Sequence, residues 1–319
     1  MANRRRPWDR GAGPLTDAEV YFSRRRFVKA LGLGGLAAGG LAWGGRRLVE
    51  VAVAEEAAKT PPLKAPRNPA YADAGRPLTG AEHALRYNNF YEFSTSKERV
   101  WRLAKDFCLD PYSLEVAGLV ERPGVLSLEQ VEALGLEERV YRFRCVEAWA
   151  MTVPWIGVPL RKLLEHVGVR SEARYVAFTS FLDPKQAPGQ REGSHYPWPY
   201  FEALRLDEAA HDLTLVATGV YGRRLPPQSG APLRIVVPWK YGYKSPKSVV
   251  KMTFTKKRPP TFWNQLQPDE YSWLSNVNPE VPHPRWSQKT ERVLGTGARR
   301  PTLPYNGYGE QVARLYRKG

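Results

Sequence analysis

Cysteine is nearly absent, with 2 in 319 residues. That number excludes a disulfide-rich scaffold, a four-cysteine zinc site and a protein-ligated iron–sulfur cluster. Histidine is almost as scarce, and His83, His166, His195, His211 and His283 form no pair at ligand spacing on one element. Also missing are a Gly-x-Gly-x-x-Gly turn after a strand, a P-loop, a Gly-x-Ser-x-Gly elbow and a His-Glu-x-x-His helix, which removes the NAD, ATP, serine-hydrolase and zinc-protease readings. No repeat recurs at solenoid or propeller periods. Acid is the scarcer charge, 32 residues against 48 basic ones, for a formal net charge of +16.

Such an excess suits nucleic acid or an anionic surface, but its distribution argues otherwise. Residues 1–54 hold ten basic and four acidic residues, which leaves +10 on the remainder. Within them Ser23-Arg24-Arg25-Arg26-Phe27-Val28-Lys29 precedes an apolar, glycine-rich run from Ala30 to Gly45. The run is shorter than the roughly 20 residues that span a bilayer. The pattern reads as a twin-arginine signal peptide over 1–54, with Ala52-Val53-Ala54 as a cleavage site. Because that route exports folded proteins, it points to a cofactor protein in the periplasm, or outside the cytoplasmic membrane. Residues 55–84, with Pro61, Pro62, Pro66, Pro69 and Pro77, read as an extended linker, and 85–319 as a single catalytic domain.

In that body, Ser127-Leu128-Glu129-Gln130 is a capping box that opens a short helix ending near Gly135. Leu160, Leu163, Leu164 and Val167 predict a second helix stopped by Gly168. Strands are expected at 114–120, 140–146, 175–181, 213–220, 233–238 and 248–255. Strands outnumber helices without alternating with them, so the fold class is mixed, sheet-rich α+β.

Three constellations carry possible chemistry. Cys145 ends the strand-like run from Val140, and neighbouring arginines can favour a metal-binding thiolate. Strand periodicity points Arg142 and Arg144 away from it, so direct pairing needs a bulge or a strand end. A Cys108–Cys145 disulfide, or two plain buried thiols, stay open. The loop from Pro226 to Lys247 combines glycine and proline with Arg234, Lys240, Lys244 and Lys247, which suits either an anion or a solvated basic face. Tyr87-Asn88-Asn89-Phe90-Tyr91-Glu92-Phe93 could read a polar heterocycle or form an aromatic corner.

These segments occur in order with Arg142-x-Arg144-Cys145-Val146-Glu147-Ala148-Trp149, Val153-Pro154-Trp155-Ile156-Gly157, Gly219-Val220-Tyr221-Gly222, Pro226-Pro227-Gln228, Val237-Pro238-Trp239-Lys240-Tyr241-Gly242 and His283-Pro284-Arg285-Trp286-Ser287-Gln288. Together they resemble the catalytic subunits of periplasmic protein-methionine-sulfoxide reductases, a branch of the sulfite-oxidase-type molybdopterin family. The resemblance implies a sulfite-oxidase-type fold holding one molybdenum-molybdopterin per chain, with Cys145 as catalytic residue and metal ligand. It places Asn88, Tyr91, Glu92, Ser180, Ser229, Arg234, Ser245, Pro246 and Lys247 at cofactor-binding positions. Three of these depart from the family pattern. Ser180 stands where threonine is common, Ser229 where asparagine is common, and Pro246 brings no N–H to a segment that usually carries glycine. The implied activity is repair of methionine sulfoxide in oxidised protein substrates by oxygen-atom transfer. Its electrons would come from a quinol-fed, membrane haem-binding subunit in a heterodimer, with no nucleic-acid partner and no membrane span after processing. A sulfite dehydrogenase on the same fold and a cofactor-free exported binding protein are the alternatives.

Overall fold

The computed structural model describes residues 59–317, and the signal-peptide reading of 1–54 therefore lies outside the described residues. Twelve strands run in the order β1 (Leu114–Gly118), β2 (Gly124–Leu126), β3 (Glu137–Arg144), β4 (Trp149–Pro159), β5 (Tyr175–Ser180), β6 (Phe201–Arg205), β7 (Leu215–Val220), β8 (Arg223–Arg224), β9 (Arg234–Val236), β10 (Val249–Thr255), β11 (Thr290–Val293) and β12 (Arg299–Pro301). They form a five-stranded sheet ordered β2-β1-β10-β5-β6 and a seven-stranded sheet ordered β12-β11-β4-β7-β8, with β3 paired to β4 and β9 to β7. Parallel pairs, β1 with β10 and β4 with β11, occur among antiparallel ones. The expected sheet-rich α+β class is what these strands and short helices build.

Each strand expected from the sequence is present with ends shifted by up to three residues. The longest, β4, has no counterpart among those expectations because Pro154 and Gly157 interrupt its apolar run. Pro154 stands opposite Val140 of β3, but its carbonyl faces the other side, where it accepts from Tyr221 N–H, and its nitrogen falls between the residues of β4 that pair with β11, Trp149 and Ala150, and those that pair with β7, Trp155 to Pro159. Its missing N–H therefore interrupts none of the three ladders. Gly157 lies at a register shift, where a Cβ would collide with the Val216 carbonyl. Both residues are features of the strand that sequence punctuation disguises.

The two expected helices are found. Leu128–Glu132 carries the reciprocal Ser127 and Gln130 capping bonds. Leu160–Val167 ends on Gly168 at φ 67°, and Leu160, Leu163, Leu164 and Val167 are all buried. Each of those side chains contributes roughly 1.5–3 kcal/mol on burial. The proline-rich segment before the body is stitched to the larger sheet: Leu63 N–H donates to Gly222 O, Asn68 N–H to Glu138 O and Thr79 N–H to Thr152 O. Among the described residues no helix is long and apolar enough to cross a membrane.

Candidate active site

The β3–β4 hairpin delivers Cys145. β3 ends at Arg144 and β4 begins at Trp149, so Cys145 opens a four-residue turn closed by Cys145 N–H to Trp149 O and Ala148 N–H to Cys145 O. Ala148 takes φ 61°, an uncommon conformation for a residue with a side chain. The strand end that the sequence reading required is thus present, but its consequence differs. Arg144 turns away from the thiol. It donates to the Cys145 carbonyl and pairs with the buried Glu291 at 3.0 Å. Burial, reinforced by Glu147, pushes the Cys145 thiol up to about 12. The expectation that nearby arginines favour a thiolate is corrected: desolvation outweighs them, and the unligated side chain is a thiol.

Cys145 opens into a solvent-connected cavity. Asn89 Nδ2 donates to its Sγ at 3.2 Å and the Glu147 N–H does so at 3.4 Å. Glu147 is fixed in turn by Lys97 at 3.0 Å, Asn89 Nδ2 at 3.1 Å and Trp149 Nε1 at 3.3 Å. Cys108 is an exposed free thiol, so neither the disulfide nor a packing role for Cys108 holds.

Of the residues singled out from the sequence, Asn88, Tyr91, Glu92, Cys145, Arg234, Ser245, Pro246 and Lys247 line this one cavity. Ser180 and Ser229 stand behind it. Ser180 Oγ donates to Lys247 O at 2.7 Å, and Ser229 O accepts from Arg234 at 2.9 Å. Gly189 backs the Tyr91-Glu92 wall so closely that a Cβ would strike the Tyr91 carbonyl.

The four cations of the Pro226 to Lys247 loop do not act together, as the sequence reading had supposed. Lys240 and Lys244 are ion-paired with the buried Glu208 and Glu202 and are not part of the cavity wall. Arg234 donates only to the carbonyls of Ser229, Ser245 and Ile235, and Lys247 only to those of Asn89 and Gln228. Burial alone pushes Arg234 down to about 9. Burial, then the charge of Arg234, pushes Lys247 well below the usual lysine range.

A family model described as an oxidoreductase molybdopterin-binding domain matches residues 103–263. The chain is 49% identical over 313 residues to a protein-methionine-sulfoxide reductase catalytic subunit MsrP of Xanthomonas campestris pv. campestris. That alignment covers 95% of this chain and 93% of the relative. The same figures hold for the protein of that name from Xanthomonas axonopodis pv. citri. The chain belongs to the oxidoreductase molybdopterin-binding family. Among solved structures, the sulfane dehydrogenase SoxCD of Paracoccus pantotrophus aligns over 62% of this chain and 46% of its own at 18% identity and a TM-score of 0.41.

The cavity fits the family's cofactor. Arg234 and Lys247, buried with no carboxylate at ion-pair distance among the described residues, suit a phosphate-bearing end. No group of three or more His, Cys, Asp or Glu able to hold a metal exists among the described residues, so a metal at Cys145 would draw its other ligands from the cofactor itself. Asn89 Oδ1, buried without a hydrogen-bond partner, marks a further unsatisfied acceptor in the cavity wall.

Asn89, Lys97 and Glu147 were not selected as site residues from the sequence. Asn89 and Glu147 sat inside quoted motifs, and the turn that folds Glu147 back on Cys145 could have been read from the strand end. Nothing local marks Lys97, whose partner lies 50 positions away.

Proposed function

We propose that this chain is the molybdenum-molybdopterin-dependent catalytic subunit of a protein-methionine-sulfoxide reductase. The observation that carries the reading is the shared cavity, in which one thiol meets Arg234 and Lys247, two cations with no carboxylate at ion-pair distance among the described residues. The 49% identity to the Xanthomonas reductase subunits supplies the substrate class. Bound there, the cofactor supplies two-electron oxygen-atom transfer chemistry.

The chain's own residues do the rest. Cys145 would ligate the metal as thiolate, giving up the proton that burial otherwise keeps on it. Arg234 and Lys247 would hold the phosphate, the Ser180 hydroxyl would fix the backbone of Lys247 and the Ser229 carbonyl the guanidinium of Arg234, and Asn88, Tyr91, Glu92, Ser245 and Pro246 would line the bound group. Reduction of a sulfoxide to a thioether takes two electrons and two protons and releases water. Glu147, held by Lys97, is the carboxylate beside the thiol that can pass those protons from solvent.

A sulfite dehydrogenase would need cations converging on the thiol to receive a dianion. Arg142 binds Gly307 O, Arg144 is consumed by Glu291, and Arg285 reaches out to Glu270. The carboxylate of Glu147 beside Cys145 favours a neutral substrate instead. In this reading the chain is exported folded by the twin-arginine route, works in the periplasm, and takes electrons from a membrane haem-binding partner.

The test is substitution of each cysteine. Cys145→Ser should abolish reduction of a methionine-sulfoxide peptide and alter the molybdenum electron-resonance signal, because serine is a harder and less acidic donor. Cys108→Ser should preserve both. An active Cys145→Ser enzyme with an unaltered signal contradicts the assignment.

A further inference from the structure

The cavity that holds Cys145 is also lined by three aromatic side chains from two segments, Tyr91 from one and Trp263 and Tyr271 from the other. Trp263 meets Tyr91 edge to face at 5.3 Å and Tyr271 at 5.2 Å with a tilt of 39°. The wall is rigid. Trp263 belongs to the short helix Phe262–Leu266, anchored by the fully buried Phe262. Asn264 Nδ2 donates to Tyr271 O at 2.7 Å, and Tyr271 N–H donates to Gln267 O at 3.0 Å, which fix the second ring against the first.

The hydroxyls of this wall are available. Tyr91 makes no side-chain hydrogen bond among the described residues, and the hydroxyl of Tyr271 receives only a long contact of 3.5 Å from Arg285. Burial raises both phenols, Tyr271 to about 12, so each is a proton-bearing donor at any working pH. Both line the same cavity as Cys145 and Glu147.

We propose that Tyr91, Trp263 and Tyr271 form the seat for the methionine sulfoxide side chain. The ring faces take its methyl–sulfur–methylene end, and the hydroxyls of Tyr91 and Tyr271 face the sulfoxide oxygen. The inference rests on the reductase reading and names the part of the cavity that recognises the substrate. A sulfoxide is neutral, with a polarisable sulfur that suits aromatic faces and a strong acceptor oxygen that suits phenol donors. The thioether product keeps the first contact and loses the second, so it binds more weakly and leaves.

The experiment uses molybdenum-loaded enzyme, a methionine-sulfoxide peptide for kinetics and the matching methionine-sulfone peptide, which is not a substrate of sulfoxide reduction, for calorimetric binding. Trp263→Ala should raise KM and the sulfone-peptide Kd by about tenfold while molybdenum content stays at the wild-type level. Trp263→Phe should recover most of that loss. The double variant Tyr91→Phe, Tyr271→Phe should lose the preference for sulfone over thioether peptide. If Trp263→Ala does not hold molybdenum, Tyr271→Leu carries the same expectation. KM and Kd within about twofold of wild type in these loaded variants would overturn the seat while leaving the reductase reading intact. A molybdenum-loaded wild type that cannot reduce the peptide would overturn the reductase reading and the seat with it.

Discussion

Two pairs of buried cations leave the same stretch of chain, and they differ in what answers their charge. Lys240 uses all three ammonium hydrogens, on Glu208 Oε1 at 2.6 Å, Leu274 O at 2.7 Å and Asn276 Oδ1 at 2.8 Å. Lys244 does the same with Glu202 Oε1, Ala203 O and Trp273 O. Arg234 and Lys247, a few residues away, have carbonyl and aromatic partners but no carboxylate among the described residues. Burying a cation costs several kcal/mol unless something repays it. The saturated pair is therefore architecture, and the unsaturated pair is the one that the proposed reading assigns to an anionic group of the cofactor.

The comparison breaks most sharply at the saturated pair. Lys240→Met leaves Glu208 buried without its counter-charge, and chemical denaturation should show a loss of about 3–5 kcal/mol. The next effect lies in pH. Burial raises the Glu92 carboxyl to about 7 from an ordinary 4.5, with Lys247 only partly opposing it. Between those values the folded protein keeps a proton that the unfolded chain has lost, so stability of the cofactor-free protein should fall as pH rises from 4.5 to 7. The full span is about 3 kcal/mol, and Glu92→Gln should flatten it. A slope unchanged by that substitution would assign the dependence to other groups.

At the unsaturated pair the stability effect should shrink. Arg234→Met should leave the cofactor-free protein within about 1 kcal/mol of wild type, because the loss of its carbonyl hydrogen bonds is offset by removal of a buried charge that has no carboxylate partner. The same variant should purify with much less molybdopterin. Smallest of all, Cys108→Ser at an exposed position should stay within about 0.5 kcal/mol of wild type.

The contrast between the pairs also marks what a sequence can disclose. Spacing brought out the capping box at Ser127, the helix at Leu160 and six strands, because local propensity and burial agree there. Motif resemblance brought out Cys145, Arg234, Lys247 and the Asn88 to Glu92 segment, which the fold gathers from three distant parts of the chain. Nothing in the run from Arg234 to Lys247 says which cations meet carboxylates. Glu202 and Glu208 lie tens of residues upstream, and only the pairing of β5 with β6 and the short helix Leu206–Ala209 that follows bring them underneath. Lys97 and the aromatic wall of Trp263 and Tyr271 were hidden for the same reason, since their meaning comes from partners distant in sequence. β4 was hidden for another, as its proline and glycine look like breaks until the neighbouring strands show where they fall.

The central claim is that Cys145, Arg234 and Lys247 are one cofactor site. It is tested most directly by molybdenum and molybdopterin analysis of protein purified from molybdenum-replete cells, for wild type and for the double variant Arg234→Met, Lys247→Met. The account predicts about one molybdenum per chain in wild type, and a folded double variant nearly devoid of cofactor. A wild type that reduces methionine sulfoxide without molybdenum, or a double variant that retains full occupancy, would contradict it.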